Sequence, residues 1–422
     1  LLKIRLKPGE DYEKQLMLLS SNLNKIFQEG RDSGILKIIV YPSLSDIIAG
    51  LFLFNISLKL NIKPSFKVAT ESPRQILVPT VLFGFRDINY SASDIKSFLL
   101  GISNKVNYVP VLNSTFAELD GSPGAGLYLA LKSSNTVPIK PEYGIIALAS
   151  SYASKYVDRS GKFFSLDKIL VNLLDSDTTI KLEMITGLKV FRPLSMNFCS
   201  SLSITLDPIY TAFTNEEQCR DEIEKNKLGK VLEEPIIRLD ETAIKDLTVF
   251  ILNLIKSNSR KEIEVTDFVG GMESSSAKIT IEDPRELALV TSALIDTNGI
   301  ASALGLVADY ENEYPQVIPY LKKAVEVAKN IIKNNEFYKV TSVNFARVYS
   351  LKEDNLPFVA IARTLKYLGY IEEDALIGYL DGNVLKIPAI LLEETLGSYS
   401  TTKLVHSLKG EFRDGHIYIK IR

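Results

Sequence analysis

Hydrophobic and polar positions follow two rhythms along this chain. Near the start, Ile35-Leu36-Lys37-Ile38-Ile39-Val40 is a short, β-branched run set off by Gly34, which predicts a buried strand. A charged stretch over residues 11–28 predicts a helix before it. After it, residues 45–60 repeat apolar positions at helical spacing, with Ser45 and Asp46 suited to capping a helix and to its dipole. Strand-like runs at 65–69, 76–83 and 107–112 alternate with helical stretches at 93–101 and 124–132, while 145–151 fits a strand or a buried helix. Such alternation predicts a parallel α/β sheet.

From about residue 165 the rhythm becomes helical, over 166–174, 181–188, 240–256 and 284–302, interrupted by a Pro- and Asp-rich passage to 213 and a charged run at 215–230. Residues 317–333 place Ile318, Leu321, Val325, Ala328 and Ile332 on one helix face and four lysines on the other. Short strands return at 376–380, 384–387 and 416–421. The expected architecture is α/β throughout: an α/β domain over residues 1–205, a helical connector over 206–335 and a smaller mixed α/β domain over 336–422.

A chain of 422 residues is long for a single core, and 46% hydrophobic with 24% charged residues is a globular composition. The net charge of −2 excludes a globally basic nucleic-acid coat, although residues 1–154 are mildly basic and 206–260 mildly acidic. The apolar run 47–54 is far short of the ~18 residues a membrane span needs, and residues 1–10 do not read as a signal peptide. Cys199 and Cys219 form no CxxC pair and read as small hydrophobes in a reduced, intracellular compartment. Both histidines, His406 and His416, lie near the end, which excludes HExxH metal sites and imidazole bases from residues 1–405. His416 reads as a surface residue and His406 as a partly buried one.

In a parallel α/β sheet the ligand site lies at the carboxyl ends of the strands, so the turn after Val40 comes first. It reads Tyr41-Pro42-Ser43-Leu44-Ser45-Asp46, and no GxGxxG or GxxxxGK[ST] occurs anywhere. Here the chain resembles the DHH phosphoesterases, in particular the archaeal RecJ-like single-strand exonucleases, whose first motif is His-x-Asp-x-Asp-Gly. Ser43 and Ser45 stand at its two aspartate positions, and Asn113-Ser114-Thr115 where the family has Asp-His-His. Leu82 falls at the second-motif aspartate and Ser154 at the fourth. Residues 187–194 and 206–210 are similar to the family's GLRLFG…RPL…TDPY passage, and 286–306 to a further segment, so the resemblance spans roughly residues 30–310. Near the end, Lys386-Ile387-Pro388-Ala389 and Arg413-Asp414-Gly415-His416 are the nearest remnants of the family's Ser-x-Arg and of its glycine-rich stretch ending in His.

Two divalent ions clamp a phosphate only where several carboxylates and imidazoles neutralise and orient them. Serine and asparagine do not. Asp46, Asp87, Asp94 and Asp120 lack D-x-D spacing, and Asp175 with Asp177 reads as a helix end running into a turn. The resemblance therefore points to the catalytically degenerate branch of the family, that of the replication factor cell-division-cycle-forty-five. It implies a degenerate DHH-type domain, a DHHA-like C-terminal domain, no catalytic residue, no metal and no cofactor. It further implies a scaffold in the archaeal replicative helicase that binds the GINS complex and the MCM helicase, is nucleoid-associated, makes no membrane contact and guides single-stranded DNA. Lys386, Lys403 and Arg413 are the basic candidates for the strand; no stacking ladder is visible among 19 Tyr and 19 Phe. The alternative is a divergent metal-dependent 5′-3′ exonuclease or phosphodiesterase.

Overall fold

A computed structural model describes residues 2–6, 11–108, 111–134, 137, 139–343 and 346–421. The chain forms two compact units. The first comprises Leu1–Val157, Phe163–Lys181 and Leu304–Tyr310; the second comprises Asp158–Lys162, Leu182–Ala303 and Glu311–Arg422.

The first unit runs β1 (Leu2–Leu6), α1 (Tyr12–Ser33), β2 (Leu36–Val40), α2 (Leu44–Lys59), β3 (Pro64–Val68), β4 (Thr80–Phe83), β5 (Asp87–Ile88), β6 (Leu99–Ser103), β7 (Asn107–Tyr108), β8 (Ser114–Leu119), α3 (Pro123–Ser134), α4 (Pro141–Tyr152) and α5 (Ser165–Asp175). Six strands form one sheet in the order β1-β8-β6-β4-β2-β3, and every pair is parallel. β2 is an apolar run because a parallel strand is covered on both faces. For the same reason α2 is apolar on every side, packing on β2, β3, α3 and α4. Its one interior amide, Asn55, donates to the Val307 carbonyl at 2.7 Å and accepts from the Tyr143 hydroxyl at 2.9 Å, tying the returning segment 304–310 to the unit.

Three expectations need correction here. Residues 93–101 are not a helix: Leu99–Ser103 is a fully buried central strand, an apolar run whose periodicity alone cannot separate strand from helix. The sheet strand expected at 107–112 lies at Ser114–Leu119 instead; Val109 and Pro110 fall outside the described residues, and Asn107–Tyr108 pairs only with β5. The N-cap of α2 is Ser43 rather than Ser45.

The second unit opens with β9 (Leu182–Leu188), a strand where a helix was expected; its antiparallel partner β10 (Val269–Ser275) lies too far along the chain to be read locally. Between and beyond them run α6 (Phe198–Ile204), α7 (Glu216–Lys225), α8 (Glu241–Asn258), α9 (Val265–Phe268), α10 (Pro284–Asn298), α11 (Ile300–Ala308, its end in the first unit), α12 (Tyr310–Glu313) and α13 (Val317–Lys333). The helix expected over 284–302 is broken at Gly299. Cys199 and Cys219 are not free: a disulfide joins them, Cα atoms 5.8 Å apart, tethering α6 to α7. On α13 Lys329 is buried rather than on the solvated face, and desolvation lowers its pKa to about 8.

The C-terminal sheet is mixed, β11 (Phe337–Val343), β12 (Ala346–Leu351), β13 (Leu376–Asp381), β14 (Val384–Pro388), β15 (Glu411–Arg413) and β16 (His416–Lys420), in the order β11-β12-β13-β14-β16-β15, with only β12 and β13 parallel. Helices α14 (Phe358–Tyr367), α15 (Ala389–Leu396) and α16 (Ser398–Ser407) accompany it.

The segments 187–194 and 206–210 and the greater part of 286–306 lie inside this unit. Arg192 grips the buried Glu286 with two bonds of 2.6 and 2.7 Å, while its backbone N–H donates to Asp283 at 2.9 Å. Asp283 caps α10, and Arg285 reaches back to the Val190 carbonyl at 2.7 Å. Asp207 pairs with Arg363 at 2.7 Å, which also holds Glu394. These matches therefore mark a buried polar frame.

Candidate functional site

In the first unit, parallel strands deliver their carboxyl ends to one edge, where the loops after β2, β4 and β8 meet the starts of α2 and α3. Ser43 and Ser45 lie here. Ser45 is buried; its Oγ donates to the Ser150 carbonyl at 2.8 Å and lies 3.0 Å from the Ser150 Oγ, which donates back to the Ser45 carbonyl at 3.0 Å. The Ser150 Oγ also accepts from the Gly124 N–H at 3.2 Å. Beside it, the Ser122 Oγ accepts from the Ala125 N–H at 3.2 Å and lies 3.3 Å from the Ser151 Oγ.

Asp167, wholly buried on α5, completes the cluster by accepting from the Ser122 N–H at 2.7 Å. Burial raises its carboxyl pKa against the pull of the Ser122 and Ser151 hydroxyls. Tyr156 is raised as well, by burial first and then by Asp120 and Asp167. Asp46 lies under the turn after β4, where Gly84 has φ of +77° and a Cβ would meet the Asp46 carboxylate; only glycine fits that turn.

This donor set does not suit a pair of divalent ions. The hydroxyl of Ser45 is committed to protein partners, and among the described residues no three His, Cys, Asp or Glu side chains gather closely enough to hold a metal. What the hydroxyls do is link α2, α4 and α5 and the turn into α3 at the sheet edge through buried hydrogen bonds.

The other sequence candidates are scattered. Leu82 points into the core beside Ile39, Leu99 and Phe116. Ser154 follows α4, donating to the Ser151 carbonyl at 2.7 Å and accepting from the Tyr156 N–H at 3.1 Å. Asn113, Ser114 and Thr115 do not join Ser43: they open β8, with Ser114 level with Leu99 and, through β4, with Lys37, at the amino ends of the strands. The residues that follow the strand are Asp120, Gly121 and Ser122. Sequence reasoning missed Ser122, Ser150, Ser151 and Asp167; Asp-Gly-Ser-Pro-Gly after an apolar run was the available signal for the first.

In the second unit, Lys386 is mostly buried and paired with Asp354 at 2.7 Å, Lys403 is exposed on α16, and Arg413 is exposed with its guanidinium 4.5 Å from the Tyr418 ring centroid. His416 is buried rather than on the surface; desolvation, then Lys386, lowers its pKa to about 4. His406, in contrast, is exposed.

The architecture superimposes along the whole chain on the crystal structure of CDC45 from Entamoeba histolytica, with a TM-score of 0.56, covering 100% of this chain and 96% of that one at 10% identity. The fold is that of CDC45. Crystal structures of manganese-bound RecJ also align over 96% of this chain: that from Thermus thermophilus at TM-score 0.39 and 8% identity over 52% of its length, and a second at 0.41 and 8% over 90%. No protein-family model and no curated sequence matches the chain. The CDC45-like fold carries the expected α/β class, with a parallel sheet in the first unit and a mixed sheet at the C-terminal end. Among the described residues no helix is long and apolar enough to cross a membrane.

Proposed function

We propose that this chain is a non-catalytic replication factor, a scaffold subunit that binds a GINS complex and joins it to an MCM helicase, and that it guides single-stranded DNA. One observation carries the reading. On a CDC45-like fold, the buried Ser45 hydroxyl and its neighbours Ser122, Ser150 and Ser151 are spent on one another at the edge where phosphodiester chemistry needs free carboxylates. A fold kept while its reactive edge is closed by structural hydrogen bonds suits a protein selected for its surfaces. The DHH-type and DHHA-like domains expected over residues 1–205 and 336–422, with the connector between them, belong to the same proposal.

The test is co-elution of the full chain with purified GINS from the same organism on a sizing column at low and moderate salt. A joint peak at both salts supports the scaffold. Separate elution at both, together with Mn²⁺-dependent release of nucleotides from a single-stranded oligonucleotide, favours the exonuclease alternative and overturns the proposal.

A further inference from the structure

The charged run at 215–230 holds one end of the disulfide. Within it α7 is ten residues long and carries Glu216, Glu217, Asp221, Glu222 and Glu224 against Arg220 and Lys225. An isolated helix of that length is marginal in water, so its order depends on what it packs against. It packs on α6 and on the short turn Gly229–Leu232, and of its ten residues it buries two, Cys219 and Ile223.

Its polar ties are weaker. Glu216 accepts from the Ser200 Oγ at 2.7 Å and pairs with Lys322 of α13 at 3.1 Å, but that lysine is half exposed and such a pair contributes little. The bond from Cys219 to Cys199 of α6 is therefore one of two inward anchors, and the covalent one. Closing a loop of 20 residues, it favours the docked helix by a factor of about a hundred on the loop-entropy account. Neither cysteine has exposed surface, so a reductant reaches the bond only once α7 lifts. Lifting does not require the whole unit to unfold, because α7 withdraws only Cys219 and Ile223 from the core.

We propose that Cys199 and Cys219 form a redox-operated latch. Oxidised, they hold α7 against α6; reduced, they release the acidic helix while the rest of the unit stays folded. The reductant is a dithiol. One of its thiolates attacks a sulfur of the pair to give a mixed disulfide, and its second thiolate breaks that bond in turn. Two electrons and two protons pass to the cysteines, and the dithiol leaves as its own disulfide. Release frees Ser200 and Lys322 of their Glu216 partner and presents α7 to solvent.

The experiment is hydrogen–deuterium exchange, read by mass spectrometry of peptides, on the full chain without denaturant, oxidised and after incubation with dithiothreitol. Thiols are counted by alkylation in parallel. Reduction should expose both cysteines to alkylation, and amides of residues 216–232 should then exchange about a hundredfold faster while those of β12, β13 and α10 keep their protection. Reoxidation should restore slow exchange, and Cys199→Ala with Cys219→Ala should match reduced wild type. Ile223→Ala, which removes the second anchor, should speed thiol release by about tenfold or more. Cysteines that resist dithiothreitol until denaturant is added make the bond a permanent staple and overturn the proposal. It is also overturned by exchange that rises across the whole unit on reduction, by an unchanged pattern over 216–232, by an Ile223→Ala chain reduced no faster than wild type, or by free thiols that a disulfide oxidant does not join.

Discussion

Glu286→Ala is the sharpest probe of the polar frame in the second unit. The Glu286 side chain is fully buried and Arg192 is only 13% exposed, so removing the carboxylate leaves a guanidinium with two donors aimed at nothing. Breaking a buried pair from one side destabilises by about 3–5 kcal/mol, because the surviving charge stays desolvated. Glu282, 3.6 Å from the Arg192 Nε, recovers part of that loss and places the expectation nearer 3 kcal/mol. With a urea m-value of about 2–3 kcal/mol/M, the midpoint should fall by about 1 M. The chain has no Trp and 19 Tyr, so tyrosine fluorescence and far-ultraviolet circular dichroism are the reporters. The double variant Arg192→Met, Glu286→Leu should recover much of the loss, giving a coupling energy of about 2 kcal/mol in the cycle. A midpoint shift below about 0.3 M for Glu286→Ala, or additive single and double variants, would refute the account.

Two further outcomes follow from the second unit. Cys219→Ser opens a disulfide spanning 20 residues and should lower stability by about 3 kcal/mol on the loop-entropy account, and reductant should shift the melting of wild type but not of the variant. Asp296 is buried at the start of α14, where it accepts from the Val359 N–H at 3.0 Å, and burial pushes its pKa to about 8. The folded state therefore holds a proton that the unfolded state has lost, so stability should fall as pH rises from about 4 to 8. Asp296→Asn should flatten that slope in melting temperatures measured across the range, and an unchanged slope would show that the carboxyl titrates normally.

Much of the framework was legible because burial leaves a local trace. α2, β2 and α13 fall within a residue or two of where periodicity put them, since one face or every face of each is apolar. β6 and β9 were misread because a short apolar run does not declare its partner, and a strand is defined by what pairs with it. The candidate site followed the same division. Ser43 and Ser45 sit after a strand that sequence located correctly, so they were found at the right edge. Asn113–Thr115 were put at the wrong end of the sheet by a strand misplaced by about one element. Asp167 comes from a helix that sequence could place but could not aim, and Ser150 from a segment that sequence left open between strand and helix.

The return of Leu304–Tyr310 to the first unit has a consequence for how the chain is made. Until Val307 leaves the ribosome, the Asn55 amide in the middle of α2 has no carbonyl to meet, and the core around it must wait with a polar group unanswered. At a synthesis rate of ~5–20 residues per second, passage from residue 181 to 307 takes on the order of ten seconds. A nascent chain halted anywhere in 182–303 is therefore a natural substrate for chaperones, and neither unit can be inherited or excised as an uninterrupted stretch of sequence.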